Sequence, residues 1–281
     1  MTLISILALS AQVFTHNFSP TIFTLGPFAL RWYSLVWVTG FLTAYYLLLR
    51  VARTRRIKGL TADTVDGFVS WLVIGTVIGA RTFYALFYNP TYFLAQPWKF
   101  FFVWEGGLSF HGGFLGAFIA AWWYTKRAKL DFWKLADFLV IPLAFFLCLG
   151  RIANFINAEL VGTVTDVAWC VTYPNQPWIE GCRHPSQFYE AGKNLIIFAV
   201  LLPLWSKKRY AKLKEGTLFW LFVTLYGLGR FITNFWRAPD LSGASWATTT
   251  LLGLTLGQWL SLIMVVLGAI MLTRLFQQDP A

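Results

Sequence analysis

Four polar residues follow a long apolar segment in the middle of the chain and are the strongest candidates for chemistry. Segment 138–149 carries no charged residue, and it is followed by Arg151, Asn154, Asn157 and Glu159. Charged and amide groups near a lipid bilayer are costly, and they usually serve a function there. If the segment continues as a helix, Arg151, Asn154 and Asn157 form one slanted stripe. This run predicts an active region at the end of a membrane span.

Three further apolar stretches carry polar side chains near one end. His111 lies in the glycine-rich segment 106–113, and histidine can transfer a proton near neutral pH. Gln187 and Glu190 share one helical face after a His-Pro turn. Arg230 lies near the end of another stretch. Each of these residues could instead form a contact that only holds neighbouring helices together.

Arginines beside a carboxylate can bind a phosphate group, because the planar guanidinium donates two parallel hydrogen bonds. Arg151, Arg230 and Glu190 offer this combination, with His111 and several amides on other segments. We therefore expect an anion site rather than simple arginine–glutamate locks. An anionic phospholipid headgroup would lie at the expected depth.

The composition requires elements that can hold these residues in a membrane. The chain has 281 residues, of which 57% are hydrophobic and 12% charged, against about 25% charged in soluble domains. An all-α polytopic membrane protein is expected, since about 20 apolar residues span a bilayer as a helix. About seven transmembrane helices are predicted, at 27–49, 66–88, 108–125, 132–151, 187–205, 215–236 and 256–276.

Basic residues are concentrated in three loops, 50–58, 126–134 and 207–214, which hold 14 of the 23 Lys and Arg residues. These loops alternate with loops that have few basic residues. The positive-inside rule then predicts an N-terminus outside and a C-terminus in the cytoplasm. The net charge of +11 is thereby explained by topology and anionic lipid, and no nucleic-acid partner is expected.

The whole chain, 1–281, is expected to form a single integral-membrane domain. Residues 1–26 are predicted to be an external or interfacial segment, and 152–186 an external loop. Cys170 and Cys182 both fall in that loop. In an oxidising compartment they could form a disulfide, or both could be free thiols. No Cys/His cluster has metal-ligand spacing, so neither a metal nor another cofactor is expected.

These motifs together resemble the phosphatidylglycerol–prolipoprotein diacylglyceryl transferases of bacteria. The family signature is similar to Gly150–Gly162, and the remaining blocks occur in family order over nearly the whole chain: 32–33, 79–81, 106–113, 183–190, 226–240 and 257–258. The signature usually has glycine where Ala153 and Ala158 stand, tryptophan at Val161 and arginine at Thr163. The last long block usually has glutamate where Asn234 stands.

The resemblance implies a multi-pass enzyme of the bacterial inner membrane. Such an enzyme transfers diacylglyceryl from phosphatidylglycerol to the lipobox cysteine of a prolipoprotein, forms a thioether and releases glycerol phosphate. The expected catalytic residues are Arg151 and Arg230 for the leaving phosphate and His111 as base, with Tyr33 as helper or alternative. The expected substrate-binding residues are Arg81, Arg151, Asn154, Asn157, Glu159, Gly162, Gln187 and Glu190. The alternative is a non-catalytic lipid transporter or a scaffold that binds anionic lipid.

Overall fold

The computed structural model describes residues 13–26, 28–238 and 250–277 of the chain. They belong to two compact units. The larger unit comprises Met1–Trp37 and Val140–Ala281, and the smaller unit comprises Val38–Leu139. The polar run Arg151, Asn154, Asn157 and Glu159 lies in the larger unit.

The described residues are mainly helical. The α-helices are α1 (Trp32–Arg53), α2 (Ala62–Phe87), α3 (Pro90–Ala95), α4 (Phe110–Arg127), α5 (Phe132–Ile156), α6 (Ser186–Leu204), α7 (Lys207–Tyr210), α8 (Thr217–Thr233) and α9 (Leu256–Gln277). Short 3-10 helices cover Pro97–Phe101, Val103–Glu105 and Asn234–Trp236.

Five helical segments among the described residues are long and apolar enough to cross a bilayer: Trp32–Arg53, Ala62–Phe87, Phe132–Ile156, Thr217–Trp236 and Leu256–Gln277. This confirms the predicted class, an all-α polytopic membrane protein. The other two predicted spans coincide with α4 and α6. Polar side chains such as Glu190 and Lys193 lower the hydropathy of α6. The count of seven spans and the orientation of the termini stay predictions.

Short strands form three two-stranded sheets in the described residues. β2 (Thr21–Leu25) and β3 (Phe28–Arg31) form an antiparallel hairpin before α1. β5 (Thr250–Leu251) and β6 (Leu254–Thr255) form a second one before α9. β1 (Phe14–Thr15) pairs in parallel with β4 (Val171–Thr172), which lies between α5 and α6.

In the smaller unit, α2 and α4 pack with their backbones in contact. A Cβ atom on Gly79 would overlap the carbonyl oxygen of Gly112, and one on Gly116 would overlap the carbonyl oxygen of Gly75. Small residues at helix interfaces permit such close approach in membranes. Gly112, in the segment 106–113, therefore serves helix packing at the start of α4.

In the larger unit, α5, α6 and α8 surround one apolar core. Its fully buried members are Val140, Ile141, Ala144, Leu147, Ile197, Leu201, Leu218 and Phe222. Small residues also let α9 approach α8, because a Cβ on Gly227 would lie 2.8 Å from the carbonyl oxygen of Ser261. On α6 and α8 this core lies toward the end away from Glu190 and Arg230, and it packs the two helices against α5.

The connection between α5 and α6 has a small core of its own, formed by Phe155, Ala158, Val161, Val171, Tyr173 and Ile179. It begins at residue 157 rather than at the predicted 152. The reason is that α5 runs through Ile156, and the N–H of Asn157 still donates to the carbonyl oxygen of Ala153 at 2.9 Å. The polar run is thus partly helical and partly in this connection.

Candidate anion-binding site

Glu190 lies near the start of α6 and binds three arginines from different parts of the chain. Its side chain is almost fully buried, since Glu190 is 2% exposed. Arg151 of α5 places Nε 2.9 Å from Oε2 of Glu190. Arg230 of α8 binds Oε1 through Nη1. Arg237, which follows the last turn after α8, places Nη1 3.5 Å from the same oxygen.

One carboxylate cannot satisfy three guanidinium groups. Each guanidinium has about five N–H donors, whereas a carboxylate offers about four acceptor positions. The three arginine side chains are only 16–18% exposed, so water has limited access to their remaining donors. Three guanidinium groups around one carboxylate therefore leave an excess of positive charge at Glu190. The arrangement is chemically suited to bind an anion with several oxygens, such as a phosphate.

The polar run joins this arginine cluster through a chain of hydrogen bonds. Arg151 Nη1 lies 3.4 Å from Oδ1 of Asn154, which is itself buried. The amide of Asn154 donates to Oε2 of Glu159 at 3.0 Å, and that of Asn157 donates to Oε1 at 3.2 Å. Both oxygens of Glu159 are thus held by amides. The hydrogen bonds connect all four residues of the run, although α5 ends at Ile156, before Asn157 and Glu159.

The first turn of α6 is anchored to the end of the polar run. Gln187 Nε2 donates to the carbonyl oxygen of Glu159 at 2.8 Å. The Ser186 hydroxyl donates to the carbonyl oxygen of Leu160 at 3.0 Å. Gln187 is 2% exposed and packs one turn before Glu190. These bonds fix where Glu190 lies relative to Arg151.

Gly162 allows three backbone segments to meet. Its N–H donates to the carbonyl oxygen of His184 at 3.1 Å, and it forms an isolated antiparallel bridge with Arg237. A Cβ at this position would overlap the carbonyl oxygen of His184 and would lie 2.7 Å from that of Trp236. Gly162, predicted to bind substrate, therefore lies close to other backbone of the chain, and this contact helps to bring Arg237 to Glu190.

A disulfide closes the connection between α5 and α6. Cys170 and Cys182 are joined, with a sequence separation of 12 residues. Next to the disulfide, Val171 and Arg183 exchange two backbone hydrogen bonds of 2.9 Å each. Inside the loop, burial raises the pKa of Tyr173 to about 12, although the nearby positive charge of Arg183 lowers it. The disulfide thus supports the backbone that leads into His184 and α6.

The predicted base, His111, and its predicted helper, Tyr33, lie in different units. His111 is the second residue of α4 in the smaller unit, and its ring centroid is 6.4 Å from that of Phe83. Tyr33 belongs to the larger unit at the start of α1, with its ring centroid 6.0 Å from that of Trp37. Their catalytic roles stay predictions.

Arg81, predicted to bind substrate, is occupied by the protein itself. It is 3% exposed, and its guanidinium donates to five backbone carbonyl oxygens, those of Lys99, Phe100, Phe102, Gly106 and Gly107. A guanidinium has about five N–H donors, so none is left for a ligand. The geometry favours a structural role for Arg81, holding the segment that precedes α4, over the predicted role in binding.

Comparison with known proteins identifies the family of this chain. The family model for prolipoprotein diacylglyceryl transferase matches residues 20–274, which include every residue of the arginine cluster. The chain belongs to this family. A relative from Geobacter sulfurreducens is 41% identical over 261 residues, covering 91% of this chain and 94% of its own length. It is named phosphatidylglycerol–prolipoprotein diacylglyceryl transferase.

Two further relatives carry the same name. The protein of Ruegeria pomeroyi is 39% identical over 280 residues, covering 90% of this chain and 93% of its own length. The protein of Neisseria gonorrhoeae is 38% identical over 288 residues, covering 94% and 98%. The similarity therefore extends over at least 90% of both chains in each of these comparisons.

Two basic residues of the site were not among the residues predicted from the sequence. Arg237 lies seven residues after Arg230, a spacing of two helical turns that could have included it among the binding residues. Lys193 lies one helical turn after Glu190 on α6, a position that also could have been found. Asn234, at the family's usual glutamate position, donates from Nδ2 to the Thr255 hydroxyl at 2.7 Å.

Proposed function

We propose that this family member transfers the diacylglyceryl group of phosphatidylglycerol to the lipobox cysteine of prolipoproteins. The observation that carries the proposal is the cluster of three arginines around one buried carboxylate, in a chain that matches the transferase family over nearly its full length. The relatives' names supply the two substrates. An anionic phospholipid provides the phosphate oxygens that the cluster lacks.

The chemistry places the largest change in charge on the phosphate. The cysteine sulfur forms a bond to the terminal glycerol carbon of diacylglyceryl, and the bond from that carbon to the phosphate oxygen breaks. The leaving group is glycerol phosphate, whose charge rises from about −1 in the lipid toward −2. Donors that bind this group more strongly as the charge grows lower the barrier. Arg151 and Arg230 are assigned this role.

Glu190 then acts as a positioning residue for the arginines. Glu190 binds all three arginines and so offsets the repulsion between their like charges in a site with little water. Without a paired carboxylate, it would be costly to hold three positive charges so close together there. A preorganised cluster does not have to rearrange when the leaving group develops its charge. Asn154, Asn157 and Glu159 hold the Arg151 side of this arrangement.

The attacking thiol needs a base, because a free cysteine has a pKa of about 8.5 and is mostly protonated at neutral pH. His111 is the proposed base, and Tyr33 is the alternative. The proton passes from the cysteine sulfur to this group as the carbon–sulfur bond forms. No step requires a metal or a redox cofactor.

We place the site at the outer face of the bacterial inner membrane. Two features support this placement. Basic residues are concentrated in the loops predicted to be cytoplasmic. The disulfide between Cys170 and Cys182 lies in the connection beside the site, and disulfides persist in oxidising compartments outside the cytoplasm. Acyl chains can then remain in the bilayer while the headgroup reaches the arginines.

The test uses the purified full-length chain in phosphatidylglycerol vesicles with a lipobox peptide. Mass spectrometry should show addition of diacylglyceryl to the peptide cysteine, with release of an equal amount of glycerol phosphate. Arg151→Ala and Arg230→Ala should each lower the rate by a factor of about 100 or more, and His111→Ala should also lower it. Arg209→Ala, an exposed arginine of α7, serves as the charge-matched control.

The outcome also separates the enzyme from the alternative class. Movement of lipid between leaflets without release of glycerol phosphate would indicate a transporter, and binding alone would indicate a scaffold. Rates near wild type for both arginine variants would remove the assignment of the phosphate site even if the peptide is modified.

A further inference from the structure

Lys193 carries a buried ammonium group that has no assigned role in the transfer reaction. It lies on α6, three residues after Glu190, so the two side chains share a face of the helix. Its Nζ atom is buried and has no hydrogen-bond acceptor among the described residues. The ammonium lies over the ring of Tyr226, 3.9 Å from the ring centroid. The ring of Tyr226 covers one side of the ammonium through a cation–π contact. The ring face offers no conventional acceptor for the three N–H donors of the ammonium.

The neighbouring helix is shaped to accept the stem of this lysine. Gly229 of α8 lies directly under it, since a Cβ on Gly229 would be 2.5 Å from both Cγ and Cδ of Lys193. The next residue along α8 is Arg230, which binds Glu190. The absence of a side chain at Gly229 therefore lets Lys193 lie against α8 beside the arginine cluster.

A second side chain at the same level of α6 also has unused hydrogen-bonding capacity. Asn194 is 1% exposed, and neither its Nδ2 nor its Oδ1 has a partner among the described residues. Buried polar groups in native proteins are nearly always paired. Two adjacent residues with unsatisfied buried atoms, one turn from Glu190, indicate that the site extends along α6 and is completed by a polar ligand.

The charges define the kind of ligand. Lys193 and the three arginines carry four positive charges, while Glu190 and Glu159 carry two negative charges, which leaves a formal charge of +2. A phosphate monoester carries a charge close to −2 at neutral pH. A headgroup with a cation of its own, such as choline, would instead be repelled.

We propose that Lys193 is a headgroup-binding residue that donates hydrogen bonds to the phosphate of phosphatidylglycerol and of the departing glycerol phosphate. It thereby helps to select anionic headgroups against those that carry a cation. The proposal rests on the proposed function for the identity of the lipid, but the binding of an anionic phosphate by Lys193 can be measured without any transfer reaction.

The experiment measures binding to the purified full-length chain in a non-ionic detergent. The three probes are dioctanoyl-phosphatidylglycerol, dioctanoyl-phosphatidylcholine and glycerol phosphate alone. Lys193→Met keeps the length of the stem and removes the charge, and Lys193→Arg keeps the charge. Lys207→Met, at an exposed position of α7, makes the same change of charge away from the site.

Lys193→Met should weaken binding of phosphatidylglycerol and of glycerol phosphate about tenfold, since a hydrogen bond to a charged group is lost. Binding of phosphatidylcholine should not weaken, so the preference for the anionic lipid falls. Lys193→Arg should retain most of the affinity, and Lys207→Met should behave as wild type. In the transfer assay, the KM for phosphatidylglycerol should rise more than kcat falls.

Gly229→Ala is a second variant that leaves every charge in place but displaces the lysine stem, and it too should weaken binding of phosphatidylglycerol. The proposal is wrong if folded Lys193→Met binds phosphatidylglycerol and glycerol phosphate as wild type does. If Lys193→Met does not fold, the same result for Gly229→Ala shows that the proposal is wrong. Glycerol phosphate binding that is lost while lipid binding is kept would also contradict it. If wild type binds the lipid but transfers nothing, the proposed function fails while the result for Lys193 still stands.

Discussion

Replacing Glu190 by glutamine removes the negative charge that all three arginines share. The Glu190 side chain is 3% exposed, and Arg151 and Arg237 lie 2.9 and 3.5 Å from its oxygens, with Arg230 also bound. Glutamine has nearly the same shape, so the variant Glu190→Gln changes charge with little change of packing. Three arginines, each only 16–18% exposed, would then lie close together without the carboxylate that they share.

The size of the effect follows from the burial of the pair. Two unit charges about 4 Å apart attract by about 4 kcal/mol at an effective dielectric constant near 20. Loss of one partner of a buried ion pair typically costs about 3–5 kcal/mol. We therefore expect the free energy of unfolding of Glu190→Gln to fall by about 4 kcal/mol, which corresponds to a midpoint lower by roughly 10 °C.

Thermal unfolding of the purified chain in detergent measures this loss. The matched control is Glu105→Gln, because Glu105 also forms an ion pair, with Lys99 at 2.6 Å, but is 39% exposed. An exposed pair contributes about 0–1 kcal/mol, so the control should shift little. A midpoint for Glu190→Gln equal to that of the control would refute the view of Glu190 as the counter-ion of the cluster.

Added ligand gives a second readout of the same reasoning. An anion that binds the arginines can replace the missing carboxylate, and ligand binding stabilises the folded state in proportion to its affinity. Dioctanoyl-phosphatidylglycerol should therefore raise the midpoint of Glu190→Gln more than that of wild type. An equal shift in both proteins would mean that the lipid phosphate does not bind where the carboxylate lies.

Two further predictions concern the connection between α5 and α6. Replacing Cys170 and Cys182 by serine opens a loop of 12-residue separation. The free energy of unfolding should fall by about 3 kcal/mol. A thermal midpoint equal to that of the disulfide-bonded wild type, under non-reducing conditions, would contradict this. Ala158 has a φ of +55°, a conformation that costs about 1–2 kcal/mol for a residue with a Cβ. Ala158→Gly should therefore raise the midpoint slightly, with Ala153→Gly inside α5 as the control that lowers it.

The class of the protein and the rough position of its helices could be predicted from the sequence. A bilayer requires runs of about 20 apolar residues, and such runs are visible without any tertiary information. All seven predicted ranges overlap long helices of the structure. The glycine that lets three backbone segments meet, Gly162, was also recognised, although its contacts were not.

Arg151 and Arg230 could be named from the sequence as candidates to bind the phosphate, but their arrangement around Glu190 could not. Arg230 and Arg237 are 40 and 47 residues away from Glu190 along the chain. No local spacing reports contacts over such distances. The sequence also could not show that Arg81 donates to five backbone carbonyl oxygens. Every residue has a backbone carbonyl, so the residue types do not reveal which ones accept.

Hydropathy and charge are properties of local composition. They are enough to predict that the chain spans a membrane and carries arginines, amides and carboxylates near the ends of its helices. Which of these groups share one site depends on how the helices pack. Packing of α5, α6 and α8 brings Arg151, Glu190 and Arg230 together, and Gly229 gives Lys193 a place beside them. Such a site depends on the distances between helices. These distances are set by side chains that are far apart in the sequence but pack against one another.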